Sequence, residues 1–544
     1  MIVKGNLRAV ALVGGQFAFR NAIGDYTEEC ASVVFQNGII QRIYKSKVDE
    51  DTIKAEFGKD TLIVRLDDNC HVFPGLIDLH NHIDYNMMPI WERPYNVPWD
   101  NRHEWRHKNC AQYQKDIKNF HNFIFEEWDE REKVYTVLQF LSELQAVSGG
   151  TTVLQEPTQI NDQKTLRDAE HILLRSTGVS SDLGLTDQQK VNSIIDFFKP
   201  KLEATGHYVP PINDTSGWEL TEAVCGENQT YFKEYLELLA KSEDEIRNET
   251  GGYLVHLAEG RAGYLLQDKD GYSNKEFVYL MNHIMDSQKD YASKVKASRL
   301  TLIHGCGIDL NDKESVDFIN QCKIRVVWSP VSNLLLYDDT PNYLDSGIDP
   351  ELICLGSDWA PSGSKHIWDE GCFAQRFAQS HFPHLDSNGW YDRILDMMTY
   401  LPAQTLNSGK LGEIKEGCFA DFYIVSENRD IPDQMMIGNI FRFSDYHSVG
   451  TIINGNLIFG TRKLFQHWGQ QGVSIASDGK NAEHLMVAIP EELGIDFDKD
   501  VRQLDELFKK YSEKTHEEFK RSKMLSANDE PYATRIEELK KRFC

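Results

Sequence analysis

The sequence predicts an α/β protein whose parallel strands close into a barrel, with β-rich segments on either side and a helical C-terminal extension. Between residues 71 and 410, short apolar strands alternate with amphipathic helices. Six or more such units in succession favour a closed parallel barrel. Residues 1–70 and 411–465 instead contain closely spaced β-type runs separated by glycine and charged turns. Residues 466–544 carry charged helical stretches.

The N-terminal segment begins with a short apolar run, residues 9–13, after two basic residues. The run is too short for a signal peptide and has no convincing cleavage site, so we interpret it as the first strand. Further strands are predicted at Ser32–Phe35, Gly38–Tyr44 and Thr61–Leu66.

In the barrel segment, the apolar periodicity predicts helices at Glu132–Val147 and Tyr231–Arg247, each followed by a pair of glycines. Strands are predicted at Leu76–Leu79, Thr151–Leu154, Tyr253–Leu257, Leu300–Ile303, Ile324–Trp328 and Leu352–Leu355. The extension is predicted to contain helices at Asp505–Arg521 and Ala533–Arg542, whose charges we expect to be solvated.

Composition restricts the partners. The 544 residues include 58 Lys and Arg against 84 Asp and Glu, a net charge of −26. Such a field repels phosphate backbones, which argues against a nucleic-acid polymer and leaves small-molecule substrates. Ten scattered cysteines without a C-x-x-C pattern predict reduced thiols and a cytoplasmic protein. No apolar segment of 18 residues is present, so we predict no membrane span.

Polar residues stand at the ends of four predicted strands, where a buried strand does not need them. The runs are L-I-D-L-H-N-H, L-V-H-L-A-E-G, L-I-H-G and L-G-S-D. Because the C-terminal ends of barrel strands open onto one face, these residues are expected to converge there. They are His80, His82, His256, Glu259, His304 and Asp358.

His80, His82, His256 and Asp358 together would supply three nitrogens and one carboxylate oxygen, leaving a position for water. That ligand set suits a catalytic zinc site, although iron and manganese are also compatible. Each member alone has a simpler explanation. With 18 histidines, an isolated His-x-His indicates metal in roughly one case in ten. Asp358 alone could cap a helix.

The order H-x-H, H-x-x-E, H-G, S-P-x-S-N and S-D resembles the amidohydrolase superfamily, in its cytosine-deaminase-like and triazine-hydrolase-like branch. The resemblance runs from the first strands to Gly460 and includes F-P-G-L-I-D-L-H-N-H and G-E-I-K-E-G-C-F-A-D. It implies a (β/α)8 TIM barrel and a small composite β-sandwich built from residues 1–70 and 411–465. It also implies one divalent metal on the four predicted ligands.

The resemblance implies the chemistry as well. Metal binding would lower the pKa of water toward roughly 7, making hydroxide available. Glu259 would shuttle a proton to a ring nitrogen, His304 would orient the water, and Asp358 would pass a proton to the leaving amine. The expected reaction is hydrolytic deamination of a nitrogen heterocycle. Hydrolysis of an amide, a cyclic amide or a ring halide is the alternative. Members of the family are commonly dimeric.

Relatives with two metals usually bridge them with a lysine on the fourth strand. No clear strand-borne lysine occurs between residues 178 and 250, where Lys199 and Lys201 flank a proline. This pattern favours a single metal.

Substrate contacts are predicted at three residues. Trp91 lies in the aromatic-rich loop Tyr85–Asn109, which either covers the site and stacks on a flat ring or packs on the barrel rim. Gln155 follows a strand and either binds a base edge or simply ends that strand. Asn333, in S-P-V-S-N-L with Ser332, lies at a turn that shapes the site in the family.

A rival zinc site is His103-Glu104-Trp105-Arg106-His107, which fits the H-E-x-x-H protease signature with Glu127 as a third ligand. Trp105 and Arg106 are poor fillers for such a helix, and the strand-end residues would be left unexplained. An inactive scaffold is a further alternative, against which the complete ligand set and Glu259 argue.

Overall fold

The computed structural model describes residues 8–544 except 92, 94–97, 107–109, 132, 156–169, 195–196, 199–200, 203–207, 210–228, 267–271, 288–298, 386–388, 428–445, 476–484 and 520–529. His107, Asn109 and Lys199 of the predictions above lie outside these ranges. Within them, no helix combines the length and the apolar character that crossing a membrane requires.

The N-terminal segment forms one part of a mixed sheet. Its strands are β1 (Val10–Arg20), β2 (Tyr26–Gln36), β3 (Ile39–Tyr44), β4 (Leu62–Arg65) and β5 (Cys70–Pro74), with helix α1 (Glu50–Phe57) between β3 and β4. β1 pairs antiparallel with β2 and parallel with β4 and β5. The apolar run near the N-terminus is therefore a strand, as predicted, and its first four residues are fully buried.

Eight parallel strands in the described middle of the chain form two sheets. One contains β6 (Leu76–Asp78), β7 (Thr151–Leu154) and β8 (Arg175–Ser176). The other contains β9 (Lys190–Ile194), β12 (Thr250–Leu257), β13 (Leu300–His304), β14 (Arg325–Trp328) and β15 (Ile353–Leu355). The short strands β10 (Lys201–Leu202) and β11 (Tyr208–Val209) form a separate hairpin.

The two parallel sheets meet just beyond β6 and β15. A parallel bridge joins Asn81 to Asp358, and the Asp358 N–H donates to the His80 carbonyl at 2.9 Å. This contact places the C-terminal end of the last parallel strand beside that of the first.

Helices follow the strands along the chain. Before β12 these are α2 (Arg102–Trp105), α3 (Ala111–Tyr113), α4 (Asn119–Glu127), α5 (Val134–Ser148), α6 (Gln229–Leu239) and α7 (Glu243–Glu249), with a π turn at Gln114–Lys118. After β12 these are α8 (Ser273–Ser287), α9 (Lys313–Cys322), α10 (Pro330–Tyr337), α11 (Ile367–His381), α12 (Gly389–Met398) and α13 (Tyr400–Thr405). Short 3₁₀ turns lie at Ile83–Tyr85, Ser180–Leu183, Tyr343–Asp345, Pro350–Leu352 and Glu491–Leu493.

The chain then returns to the mixed sheet. The elements are β16 (Phe422–Glu427), β17 (Tyr446–Ile453), β18 (Asn456–Thr461), α14 (Arg462–Trp468), β19 (Val473–Ile475), β20 (Leu485–Val487), α15 (Phe497–Thr515) and α16 (Glu530–Phe543). β16 pairs antiparallel with β5, so one ten-stranded sheet joins both ends of the chain. Phe35 and Phe422, one from each end, pack with their ring centroids 5.6 Å apart in a shared apolar core.

Several predicted boundaries differ from the structure. The helix predicted at Asp505–Arg521 is α15, which begins earlier, at Phe497, and ends at Thr515. The helix predicted at Tyr231–Arg247 is two helices, because Ser242 and Glu245 form a capping box that starts α7. The mixed sheet extends to Pro74 and to Val487, past the bounds of 70 and 465, because β5, β19 and β20 continue its ladder. The C-terminal extension therefore adds two strands as well as helices.

Candidate metal centre and catalytic site

The predicted residues lie at or near strand ends, and two of them have an uncommon backbone conformation. His80 and His82 follow β6, His256 lies within β12, and His304 ends β13. His304 and Asp358 have left-handed backbone, with φ of 66° and 57°. Holding a residue other than glycine in this conformation costs about 1–3 kcal/mol, and such residues concentrate at functional sites. The strain here falls on residues predicted to act in catalysis.

The four histidines cluster around His80. Its ring centroid lies 4.9 Å from that of His82, 4.7 Å from that of His256 and 4.7 Å from that of His304. The Asp358 Oδ1 atom lies 3.0 Å from His80 Nε2 and 3.6 Å from His82 Nε2. Two overlapping groups of donor atoms, each within 4.8 Å, result: His80, His82 and His256, and His80, His304 and Asp358.

The donor set fits a divalent metal. Both ring nitrogens of His256 are buried and make no hydrogen bond, although a buried imidazole normally has a partner. Burial, reinforced by the Arg102 charge, holds the pKa of His256 well below its usual range, and burial with the nearby His80 does the same for His82. Both rings are therefore neutral and offer lone pairs, as metal binding requires.

Asp358 is ionised in this environment. Burial would raise the pKa of its carboxyl, but the nearby histidines together, with His80 contributing most and His304 and His82 less, outweigh that effect and hold the pKa well below its usual range. Burial lowers the pKa of His80, but the Asp358 carboxylate reverses this, so the pKa of His80 is raised. The His80–Asp358 pair thus places a negative oxygen among the histidine nitrogens.

Glu259 is held from three sides. The Tyr337 hydroxyl donates to its Oε1 at 2.7 Å, and Arg102 Nε and His304 Nε2 lie 3.3 Å and 3.7 Å from its Oε2. Burial raises the pKa of Glu259, but the His304 and Arg102 charges outweigh it, so the pKa is lowered. The carboxylate is therefore ionised and able to accept a proton.

Gln155 and Asn333 lie behind the histidines. Gln155 Oε1 is 3.2 Å from His80 Nδ1 and accepts from the Asn81 N–H at 3.0 Å. Asn333 Oδ1 is 3.3 Å from His304 Nδ1. If each Nδ1–H donates to its amide oxygen, each Nε2 lone pair faces the site. This geometry gives both amides an orienting role, and their predicted contact with substrate stays a prediction.

Trp91 is packed inside a buried aromatic cluster. Its ring centroid lies 5.8 Å from Trp105, 5.8 Å from Tyr113 and 6.2 Å from Trp359. Trp105 and Trp359 stack at 5.5 Å, and the Trp105 indole N–H donates to the Tyr337 hydroxyl at 3.0 Å. The cluster is thus a wall beside Glu259, and Trp91 lies within that wall with 2% of its surface exposed.

Two residues of the site, Arg102 and Tyr337, were not predicted. Tyr337 lies four residues after Asn333 on α10, a spacing that places both side chains on one helix face. That spacing could have identified Tyr337 from the sequence. Arg102 had none, because its position depends on an antiparallel bridge between Asn101 and Gly260.

The described part of the H-E-x-x-H segment does not form a metal site. The helix containing His103 is only four residues long, and the His103 ring lies 3.5 Å from Glu276 Oε1. Glu127 is on the surface and pairs with Lys510. His103 therefore lies beside Glu276 and Glu127 beside Lys510, whereas the protease signature needs both side chains on one metal.

The chain was compared with known proteins. The family model described as "Amidohydrolase family" matches residues 71–458, a range that includes all of the strand-end residues. The chain belongs to the amidohydrolase family.

One curated relative is a deaminase. A 5-methylthioadenosine/S-adenosylhomocysteine deaminase of Halothermothrix orenii is 29% identical over 160 residues, which is 28% of this chain and 36% of that protein. The chain thus matches little more than a third of that relative's length.

Solved structures are also similar to this chain. An adenosine deaminase from Xanthomonas campestris with bound zinc has a TM-score of 0.50 at 13% identity, covering 94% of this chain and 100% of that one. A triazine hydrolase variant has a TM-score of 0.49 at 14% identity, covering 92% and 99%.

Proposed function

We propose that this protein is a metal-dependent hydrolase of non-peptide carbon–nitrogen bonds that deaminates a nitrogen heterocycle. The single observation that carries the proposal is the convergence of His80, His82, His256 and Asp358 beside an ionised Glu259. Family membership supports a hydrolase, and the deaminase name of the one curated relative supports ammonia as the leaving group.

The proposed framework is a closed (β/α)8 barrel with a composite β domain. Eight parallel strands and the Asn81–Asp358 bridge between the first and the last of them support closure. In such a barrel the C-terminal strand ends form the active-site face, as the positions of the predicted ligands require.

The proposed metal is one divalent ion, most simply zinc, held by His80, His82, His256 and Asp358. When bound, it would supply Lewis-acid activation of water. The zinc in the structure of the adenosine deaminase relative belongs to that protein and supports the same choice here.

Different residues of this chain carry out the separate proton transfers. Glu259 takes a proton and delivers it to the ring nitrogen, while Tyr337 holds its carboxylate in place. His304, held by Asn333, orients the attacking oxygen. The attacking water gives one proton to Glu259 and the other to Asp358 as its oxygen adds to the ring carbon. The C–N bond then breaks, and Asp358 passes its proton to the amine, which leaves as ammonia.

The cell compartment and assembly are part of the proposal. Nine cysteines in the described ranges are free thiols, which supports a reducing, cytoplasmic location. Homodimer formation stays a prediction from the resemblance.

An ammonia-release screen over purines, purine nucleosides, pyrimidines, pterins, triazines and guanidino compounds tests the proposal. We expect ammonia from at least one class, and Glu259→Gln to abolish it while the metal stays bound. Glu104→Gln, the glutamate of the H-E-x-x-H segment, is the matched control and should retain activity. Release of a carboxylic acid or halide without ammonia would instead indicate an amide, cyclic-amide or ring-halide hydrolase.

A further inference from the structure

The C-terminal helix α16 contacts the loop that carries Asp358, although the match to the family ends at residue 458. Its Arg535 is 3% exposed and donates to three backbone carbonyls of that loop. The distances are 2.7 Å to Pro361 O, 2.6 Å to Gly363 O and 3.3 Å to Ala360 O. All three acceptors lie within five residues of Asp358.

This loop needs partners from outside itself. It starts at the left-handed Asp358 and folds back so tightly that a Cβ on Gly363 would lie 2.1 Å from the Ser357 carbonyl oxygen. Ser357, Trp359 and Ala360 are buried, so the loop carbonyls are remote from solvent. Buried carbonyls without a partner are strongly unfavourable, and the planar guanidinium supplies several donors at once.

The same loop is bonded directly to the proposed metal centre. The Asp358 N–H donates to the His80 carbonyl at 2.9 Å, and the Ala360 N–H donates to Asn86 Oδ1 at 3.0 Å. The Pro361 carbonyl that accepts from Arg535 also accepts from the Trp91 N–H at 2.9 Å. A movement of this loop would therefore move Asp358 relative to His80.

Other contacts hold α16 in this position. The Lys365 N–H donates to the Tyr532 hydroxyl at 3.3 Å, and the His381 ring bonds to the Phe543 carbonyl. Arg542 pairs with Asp338 at 2.8 Å, but its side chain is 56% exposed, and Asp338 also pairs with Arg93 at 2.7 Å. Arg542 thus lies on the same helix as Arg535, but Asp338 keeps its pairing with Arg93 when Arg542 is substituted.

We propose that Arg535 is a positioning residue of the active site, which holds the Asp358 loop so that the carboxylate faces His80. The C-terminal helix is then a working part of the enzyme rather than an appendage. The inference deepens the proposed function and rests on it for the chemistry, but its structural part concerns the loop alone.

The test compares Arg535→Gln with Arg542→Gln as the matched control. Hydrogen–deuterium exchange is measured on metal-free protein for peptides covering residues 355–365, with β1 and β2 as remote references. Exchange of the loop should be at least about 10-fold faster in Arg535→Gln and unchanged in Arg542→Gln, with the remote strands unaffected. Zinc loaded into each variant should pass to a chelator about 10–100-fold faster from Arg535→Gln only.

Unchanged loop exchange and zinc release in Arg535→Gln would overturn the inference. Equal acceleration in the remote strands would overturn it too, because Arg535 would then serve general stability. If Arg535→Gln does not fold, Arg535→Lys is measured in its place, because lysine keeps the charge but lacks the planar group that donates from two nitrogens. We then expect hydrogen exchange of the loop alone to be accelerated to an intermediate degree. If no compound releases ammonia, the proposed function fails while the exchange result still decides this inference.

Discussion

At the scale of single residues, the amides behind the histidines differ in what they support. Gln155 faces His80, a proposed metal ligand, whereas Asn333 faces His304, a proposed catalytic group. Each amide oxygen is placed to accept from the Nδ1–H of its histidine, which would leave Nε2 facing the site. Their substitutions should therefore separate metal binding from catalysis.

We expect Gln155→Leu to weaken metal binding by about 10–100-fold, because His80 loses the acceptor that orients it. Asn333→Leu should keep the metal and lower kcat by a similar factor. Competition with a zinc chelator and steady-state kinetics measure the two effects. Equal loss of metal in both variants would contradict the separation.

Tyr337→Phe should shift the pH dependence of the reaction. The tyrosine hydroxyl bonds to Glu259, whose pKa burial raises but His304, Arg102 and this hydrogen bond together lower. Removing the hydroxyl raises the pKa of Glu259, so the carboxylate is lost at a higher pH. The acid limb of the kcat/KM profile should move to higher pH, and a shift in the opposite direction would exclude Tyr337 from this role.

The sequence predicted that all six strand-end residues would lie close together, because a polar residue at the end of an apolar strand is a local signal, and their roles stay predictions. Tyr337 could have been found from its helical spacing to Asn333. Arg102 and Arg535 could not, because each acts through contacts between segments far apart in the chain.

At the scale of elements, helix α5 fixes the segment that leads into β8. Glu143 on α5 is fully buried and accepts from the Ile172 N–H at 2.8 Å and the Leu173 N–H at 2.6 Å. It also bonds the His171 ring at 2.9 Å, and that ring contacts the Gln155 carbonyl at 2.8 Å. One carboxylate thus organises the chain beside a residue of the site.

Glu143→Ala should lower the free energy of unfolding by about 3 kcal/mol, because two backbone N–H groups and His171 lose their acceptor. Urea denaturation measures the change, with the exposed Glu126→Ala as the control. A loss as small as that of the control would show that water replaces the carboxylate.

Sequence patterns located β7 and β13 to within one residue, because apolar strands between polar turns are local features. They missed the division of the helix at 231–247. Its apolar periodicity continues across Ser242, and only the capping geometry shows the break.

At the scale of the whole molecule, a buried ion pair joins the parallel strands to the mixed sheet. Arg175 in β8 meets Asp421, just before β16, in a two-pronged contact of 2.6 Å and 3.1 Å. Asp421 also accepts from the Asn454 N–H at 2.7 Å. The parallel strands and the mixed sheet are therefore coupled.

Arg175→Met should cost about 3–5 kcal/mol, because it leaves the Asp421 carboxylate buried without its partner. Adding Asp421→Asn should recover part of the loss by removing that charge. The exposed Lys463→Met, whose pairing with Asp67 is on the surface, should change stability by less than about 1 kcal/mol. Thermal and urea unfolding measure the stability of all three variants. An Arg175→Met variant as stable as the wild type would contradict the coupling.

The joining of both chain ends in one sheet was predictable from the resemblance, but its extent was not. β19 and β20 are three residues long, and such short strands acquire their conformation from the ladder they join. The docking of α16 on the Asp358 loop has no counterpart in any local pattern.

The central claim is that His80, His82, His256 and Asp358 hold the functional metal. Metal content per chain, measured by elemental analysis on wild type, His256→Ala and His103→Ala, tests it most directly. We expect one divalent ion per chain in the wild type and in His103→Ala, and almost none in His256→Ala. Metal retained by His256→Ala and lost from His103→Ala would contradict the account.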